Sequence, residues 1–119
     1  MGMVIKSSIF PLRISLKKKE PWELIIDIEN EDPKVKKVLV EIDLPEVATF
    51  STVGSSRTYE KKYDAFKAND KITIKMPIYL SNYANEGSHF GKIKVSEHFG
   101  DYGYVERSFS KDIPFRVVG

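Results

Sequence analysis

The acidic side chains are the residues whose types and spacing come nearest to chemistry. Glu29, Glu31, Asp32, Asp64, Asp70, Glu97 and Asp101, together with His98, fall in or beside turn-forming segments. If strand direction alternates along the chain, these segments meet at one end of the fold. Carboxylates converging from several loops could hold calcium, which takes six to eight oxygen ligands. There is no D-x-D-x-D-G loop, however, and Asp and Asn are ordinary turn formers. His89 and His98 are nine positions apart on one predicted strand. At ~3.3 Å per residue that is about 30 Å, too far to share a metal within one chain. Gly54-Ser55-Ser56 offers a hydroxyl with no histidine nearby, and Asp64 with Asp70 is too common a pairing to mark an acid/base site. G-x-S-x-G, H-E-x-x-H and phosphate-loop motifs are missing. No catalytic residue, cofactor or metal ligand set is therefore expected, and the chain is not expected to be an enzyme.

Two groups of residues are candidates for binding instead. Phe99, Tyr102 and Tyr104 lie in a glycine-rich run, His98 to Tyr104, that reads as a hairpin tip. Rings on such a loop give large contact area at low entropic cost, or they fold back over the end of the core. Ile25 and Tyr79 each interrupt the polar row of an otherwise alternating strand. On neighbouring strands they could touch and centre a protein contact or a homodimer patch. Leu39 breaks a polar row in the same way, on the other sheet. The lysines of Lys17-Lys18-Lys19 and Lys34-Val35-Lys36-Lys37 fall at opposite ends of the fold, and are read as solvated turn residues.

The elements that must position these residues are β-strands. Period-2 alternation runs through 12–16, 22–29, 37–44 and 71–80, with one apolar row and one largely polar row in each. Residues 90–98 read as a further strand. Residues 104–109 and 113–118 read as one long strand broken at 111–114, because Pro114 has no N–H to give a ladder. Pro11 suggests a similar break in the first strand. Within 47–63, two short strands, 49–53 and 58–63, are expected around Gly54-Ser55-Ser56, and 64–68 could form one helical turn. Turn signals separate these runs every 8–12 residues. The expected fold is an all-β, immunoglobulin-like antiparallel sandwich of about seven strands in two sheets, with residues 1–119 as a single domain.

Composition narrows the classes. The chain has no cysteine, which removes disulfides, thiolate nucleophiles and Cys-ligated metals. Nineteen basic and seventeen acidic residues leave a formal net charge of +2, unlike a nucleic-acid binder. Glutamine is absent while lysine and glutamate are abundant, which leans toward a thermophilic source. Residues 1–16 have no apolar core of signal-peptide length, which favours a cytoplasmic location. No window approaches the ~20 apolar residues of a membrane span.

Trp22-Glu23-Leu24-Ile25-Ile26-Asp27-Ile28-Glu29-Asn30, the run 35–44, and Gly91-Lys92-Ile93-Lys94-Val95-Ser96 followed by 104–118 carry a family pattern. They resemble the B strand, the C strand and the closing F–G hairpin of Ig-like modules from archaeal surface proteins and bacterial cell-adhesion-related (CARDB-type) domains. The resemblance covers about 12–118. It departs from the family in showing no secretion signal and in standing alone, where such modules occur in tandem. It implies a binding or spacer role and brings no catalytic residues. The expected function is a non-catalytic module that binds a protein partner or itself, with no nucleic acid and no membrane insertion. The alternatives are small-ligand or carbohydrate binding by Phe99, Tyr102 and Tyr104, and calcium binding at the acidic end.

Overall fold

The computed structural model describes residues 2–11, 13–17, 21–51, 56–81, 83–98 and 105–119. They form β1 (Met3–Phe10), β2 (Arg13–Ser15), β3 (Trp22–Asn30), β4 (Lys36–Asp43), β5 (Ala48–Thr49), β6 (Thr58–Phe66), β7 (Lys71–Leu80), β8 (Gly87–His98) and β9 (Val105–Val118). The described residues contain no helix, so none is long and apolar enough to cross a membrane. A four-stranded sheet in the order β1-β3-β7-β5 faces a five-stranded sheet in the order β2-β9-β8-β4-β6. All pairings are antiparallel except that of β2 with β9.

Alternation explains the layers. Trp22, Leu24, Ile26 and Ile28 on β3 and Ile74 and Ile78 on β7 form one buried face. Val38, Val40 and Ile42 on β4, Ile93 and Val95 on β8, and Ile113, Phe115 and Val117 on β9 form the other. Each such side chain contributes roughly 1.5–3 kcal/mol when fully buried. Gly91 lies where β8 passes the end of β4. A Cβ there would sit 2.9 Å from the Asp43 carbonyl oxygen, so the close approach requires glycine.

The all-β, two-sheet expectation holds, but the described residues form nine strands where about seven are expected. The first strand divides near Pro11: β1 pairs with β3 in the smaller sheet, and β2 pairs with β9 in the larger. β9 is not broken at 111–114. Its ladder with β8 runs unshifted from Arg107 to Val117, with Pro114 opposite Phe90. β2 reaches β9 only at 116–118, so at Pro114 one edge of the strand has no partner among the described residues. Pro77 on β7 is similar, because β5 pairs only with residues 79 and 80. A proline lacking its N–H is tolerated at such edges. The short strand expected over 49–53 is Ala48–Thr49, and 52–55 lie outside the described residues. Asp64 to Phe66 do not make a helical turn. They continue β6, and Phe66 reaches the core opposite Lys36.

Candidate functional site

The two ends of the fold differ in chemistry. At one end, Phe10, Pro11, Pro21, Trp22, Glu23, Lys75, Met76 and Pro77 line an open cleft of about 560 Å³. Register places them there: Phe10 on β1 is opposite Glu23 on β3, which is opposite Pro77 on β7. Phe10 shares the outward row of Lys6 and Ser8, and is 75% exposed. Trp22 is buried against Phe115, ring centroids 4.9 Å apart. Its Nε1–H has no acceptor among the described residues. Phe115 also meets His89 at 5.8 Å, and His89 Nε2 lies 3.1 Å from the Asn85 carbonyl oxygen.

Ile25 and Tyr79 do not line this cleft; each is two positions along its strand from a residue that does, Glu23 and Pro77. Ile25 and Tyr79 are half-buried, on adjacent strands and on the same outward face. The register keeps them apart, however. Ile25 is opposite Lys75, four positions from Tyr79, which makes about 13 Å along the strand. The row between them holds Phe10, Glu23 and Pro77. Beyond Ile25 the face is polar: Thr73 donates to Asp27 at 2.7 Å, and Lys71 stands 4.0 Å from the same carboxylate. The apolar surface is therefore one corner of the smaller sheet, and Ile25 marks its limit. Sequence reasoning missed Phe10, although its parity with Lys6 and Ser8 puts it outside.

The other end is charged. Glu97, fully buried, accepts from Arg107 Nη2 at 3.2 and 3.3 Å and from Arg107 Nε at 3.3 Å. Lys36 Nζ lies 3.4 Å from Glu97 and 3.9 Å from Asp32, and Arg107 also reaches Asp32 at 3.2 Å. The acidic end expected from the sequence does bring Asp32 and Glu97 close together, but with two cations between them. Lys36 is not a solvated turn lysine, since its side chain is only 11% exposed. Among the described residues no group of three His, Cys, Asp or Glu could hold a metal ion. His98 is buried beside this cluster, and His89 lies near the opposite end of β8. Phe99, Asp101, Tyr102 and Tyr104 lie outside the described residues.

Asn30 fastens this end. Its Nδ2 donates to the carbonyls of Lys34 at 3.1 Å and Phe66 at 2.9 Å, and its Oδ1 accepts the Asp32 N–H at 3.0 Å. Its backbone bonds Asp70 and Asn69. The Asp32 carboxylate is held below its ordinary pKa of 3.8, first by the Lys34 N–H and further by Lys36 and Arg107. A carboxylate depressed on folding stabilises the native state above its unfolded pKa. That contribution disappears as pH falls through the lower folded value. Acid unfolding of Asp32→Asn should therefore show a flatter stability decline below pH ~4 than the wild type. Identical acid limbs would show that Asp32 has no such role.

No protein-family model and no curated protein matches the chain. Solved structures show a likeness of fold. The β-glucosidase from Listeria innocua has a TM-score of 0.55 and 16% identity, covering 98% of this chain and 16% of that one. Its complex with isofagomine gives 0.54 and 18%, with the same coverage. The alkylpurine DNA glycosylase AlkC from Pseudomonas fluorescens gives 0.49 and 17%, covering 98% of this chain and 30% of that one. At these identities the glucosidase likeness is one of fold alone, and the chain spans only a small part of that enzyme's length.

Proposed function

We propose that this chain is an immunoglobulin-like sandwich acting as a non-catalytic interaction module, and that the Phe10 corner is its protein-binding surface. The observation that carries the reading is Phe10 itself, 75% exposed at the rim of a cleft walled by Pro11, Pro21 and Pro77. A large ring left in water beside a cleft is a source of binding energy when a partner covers it. Glu23 and Lys75 supply the polar contacts that fix orientation. The strand order supports the Ig-like assignment, with one sheet built on β1-β3-β7-β5 and the other on β9-β8-β4. A binding role also agrees with that of the surface-protein and CARDB-type modules the sequence resembles.

A photo-crosslinking amino acid placed at position 10 tests the site in cells of the source organism. It is expected to give a discrete protein adduct that the same probe at exposed Lys92 does not. Ile25→Glu in the position-10 background should cut that adduct roughly three- to tenfold, since a half-buried aliphatic side chain has about half of the ~1.5–3 kcal/mol of full burial left to contribute. Equal adducts from positions 10 and 92 would overturn the proposal.

A further inference from the structure

The larger sheet ends on β6, and among the described residues no strand pairs with its outer edge. Every second residue of this nine-residue strand thus presents its main-chain donor and acceptor on that side. Such an edge is a template for another strand, and charged side chains normally blunt it. β6 carries Glu60, Lys61, Lys62 and Asp64, all exposed. Their order does more than repel, because it is self-complementary in one register.

We propose that β6 pairs antiparallel with β6 of a second copy, about a twofold axis that passes Lys61 and runs normal to the sheet. The inference rests on the interaction-module reading in its self-associating form, at a surface separate from the Phe10 corner. A twofold normal to the sheet keeps outer face beside outer face, so paired residues must share parity. β6 is regular against β4 from Thr58 to Tyr63, and the register shifts beyond that point. Centring the pair on Glu60 sets that carboxylate against its own copy. Centring on Lys62 sets Lys62 against itself and runs Glu60 into the shifted stretch. Centring on Tyr59 sets Lys61 against Arg57, and centring on Tyr63 runs through the shifted stretch. Like charges directly opposite destabilise a ladder, and opposite charges stabilise it.

Centring on Lys61 places Glu60 opposite the partner's Lys62, twice by symmetry. It also sets Tyr59 opposite the partner's Tyr63, and every one of these pairs lies within the regular stretch. Tyr59 and Tyr63 already pack against the core, so their rows would continue across the dyad. The cost is Lys61 facing its own copy. Each ammonium lies 5.2 Å over the Tyr63 ring of its own chain, where the ring face offsets part of the repulsion.

Sedimentation equilibrium of the full chain tests this with variants at exposed positions, each first checked for a wild-type melting temperature. The wild type should dimerise. Glu60→Lys alone and Lys62→Glu alone should each weaken the dimer at least tenfold. The double variant Glu60→Lys/Lys62→Glu should restore it, and the two single variants, mixed, should form a heterodimer. Lys61→Thr should tighten it. A monomeric wild type at millimolar concentration, or single variants that dimerise as the wild type does, would overturn the β6 pairing. A dimer broken by Phe10→Ser and untouched by the charge swaps would also overturn it. In that last outcome the interaction-module reading stands, whereas a lost position-10 adduct beside an intact β6 dimer sinks only the corner.

Discussion

Glu97→Leu is expected to lower folding stability by about 3–5 kcal/mol, the cost of removing one member of a buried ion pair. The Glu97 side chain has no exposure and continues the inward row of Ile93 and Val95. Its charge is tolerated there because Lys36 and Arg107 both reach it. The two cations differ in what they lose. Arg107 is 41% exposed and still has Asp32 at 3.2 Å. Lys36 is 11% exposed and would keep only the longer contact to Asp32 at 3.9 Å. The penalty should therefore reside mainly in Lys36. Replacing both, as Glu97→Leu/Lys36→Met, should recover most of it, because neither charge then has to be desolvated. Urea denaturation of the four proteins of this cycle gives the coupling directly. A Glu97→Leu variant within ~1 kcal/mol of wild type would mean that water reaches the cluster. Against the 5–15 kcal/mol total of an ordinary domain, the expected loss is large enough to read without ambiguity.

This cluster also shows what the sequence made legible. Strands with clean alternation, such as β3, β4 and β7, lie within about a residue of their expected bounds. The meeting of Asp32 and Glu97 at one end followed from strand direction alone. The partners did not, because Lys36 stands in a run of lysines; its parity puts it in the inward row of Val38, and the pairing that sets Val38 opposite Glu97 brings that row beside the carboxylate. β1 escaped notice for a different reason. Its inner row, Met3, Ile5, Ser7 and Ile9, includes a serine, while its outer row carries Val4 and Phe10. Two rows of similar polarity give no period-2 signal. β6 carries Lys61 in the same row as Tyr59 and Tyr63, and an edge strand need not be apolar on either face. The break expected in β9 reflects local residues that tertiary pairing overrides. Lys111, Asp112 and Pro114 read as a loop, yet β8 supplies a continuous ladder beside them.

Asn30→Leu is the second large effect, expected to cost about 3–5 kcal/mol. The sequence presents Asn30 as a turn residue after β3, but the structure buries it completely. Its side chain satisfies two carbonyls and one N–H from three different residues. Leucine has similar volume and none of these bonds. The Phe66 carbonyl, 2.9 Å from Nδ2 in a buried setting, would be left without that donor at the full desolvation penalty of roughly 1–3 kcal/mol. The Lys34 and Asp32 backbone groups are nearer water and should lose less. Asn30→Asp separates the donors from the acceptor. Its carboxylate keeps an oxygen for the Asp32 N–H but turns the other toward two carbonyl oxygens in a dry site. It should be at least as damaging as leucine at neutral pH. Burial raises the pKa of such a carboxyl, so the penalty should shrink as pH falls and the group takes up a proton. Thermal melts of both variants across pH 4–8 check this. The Asp variant should gain on the Leu variant toward acid, and parallel curves would mean that Asn30 is solvated and the turn is held by its backbone bonds alone.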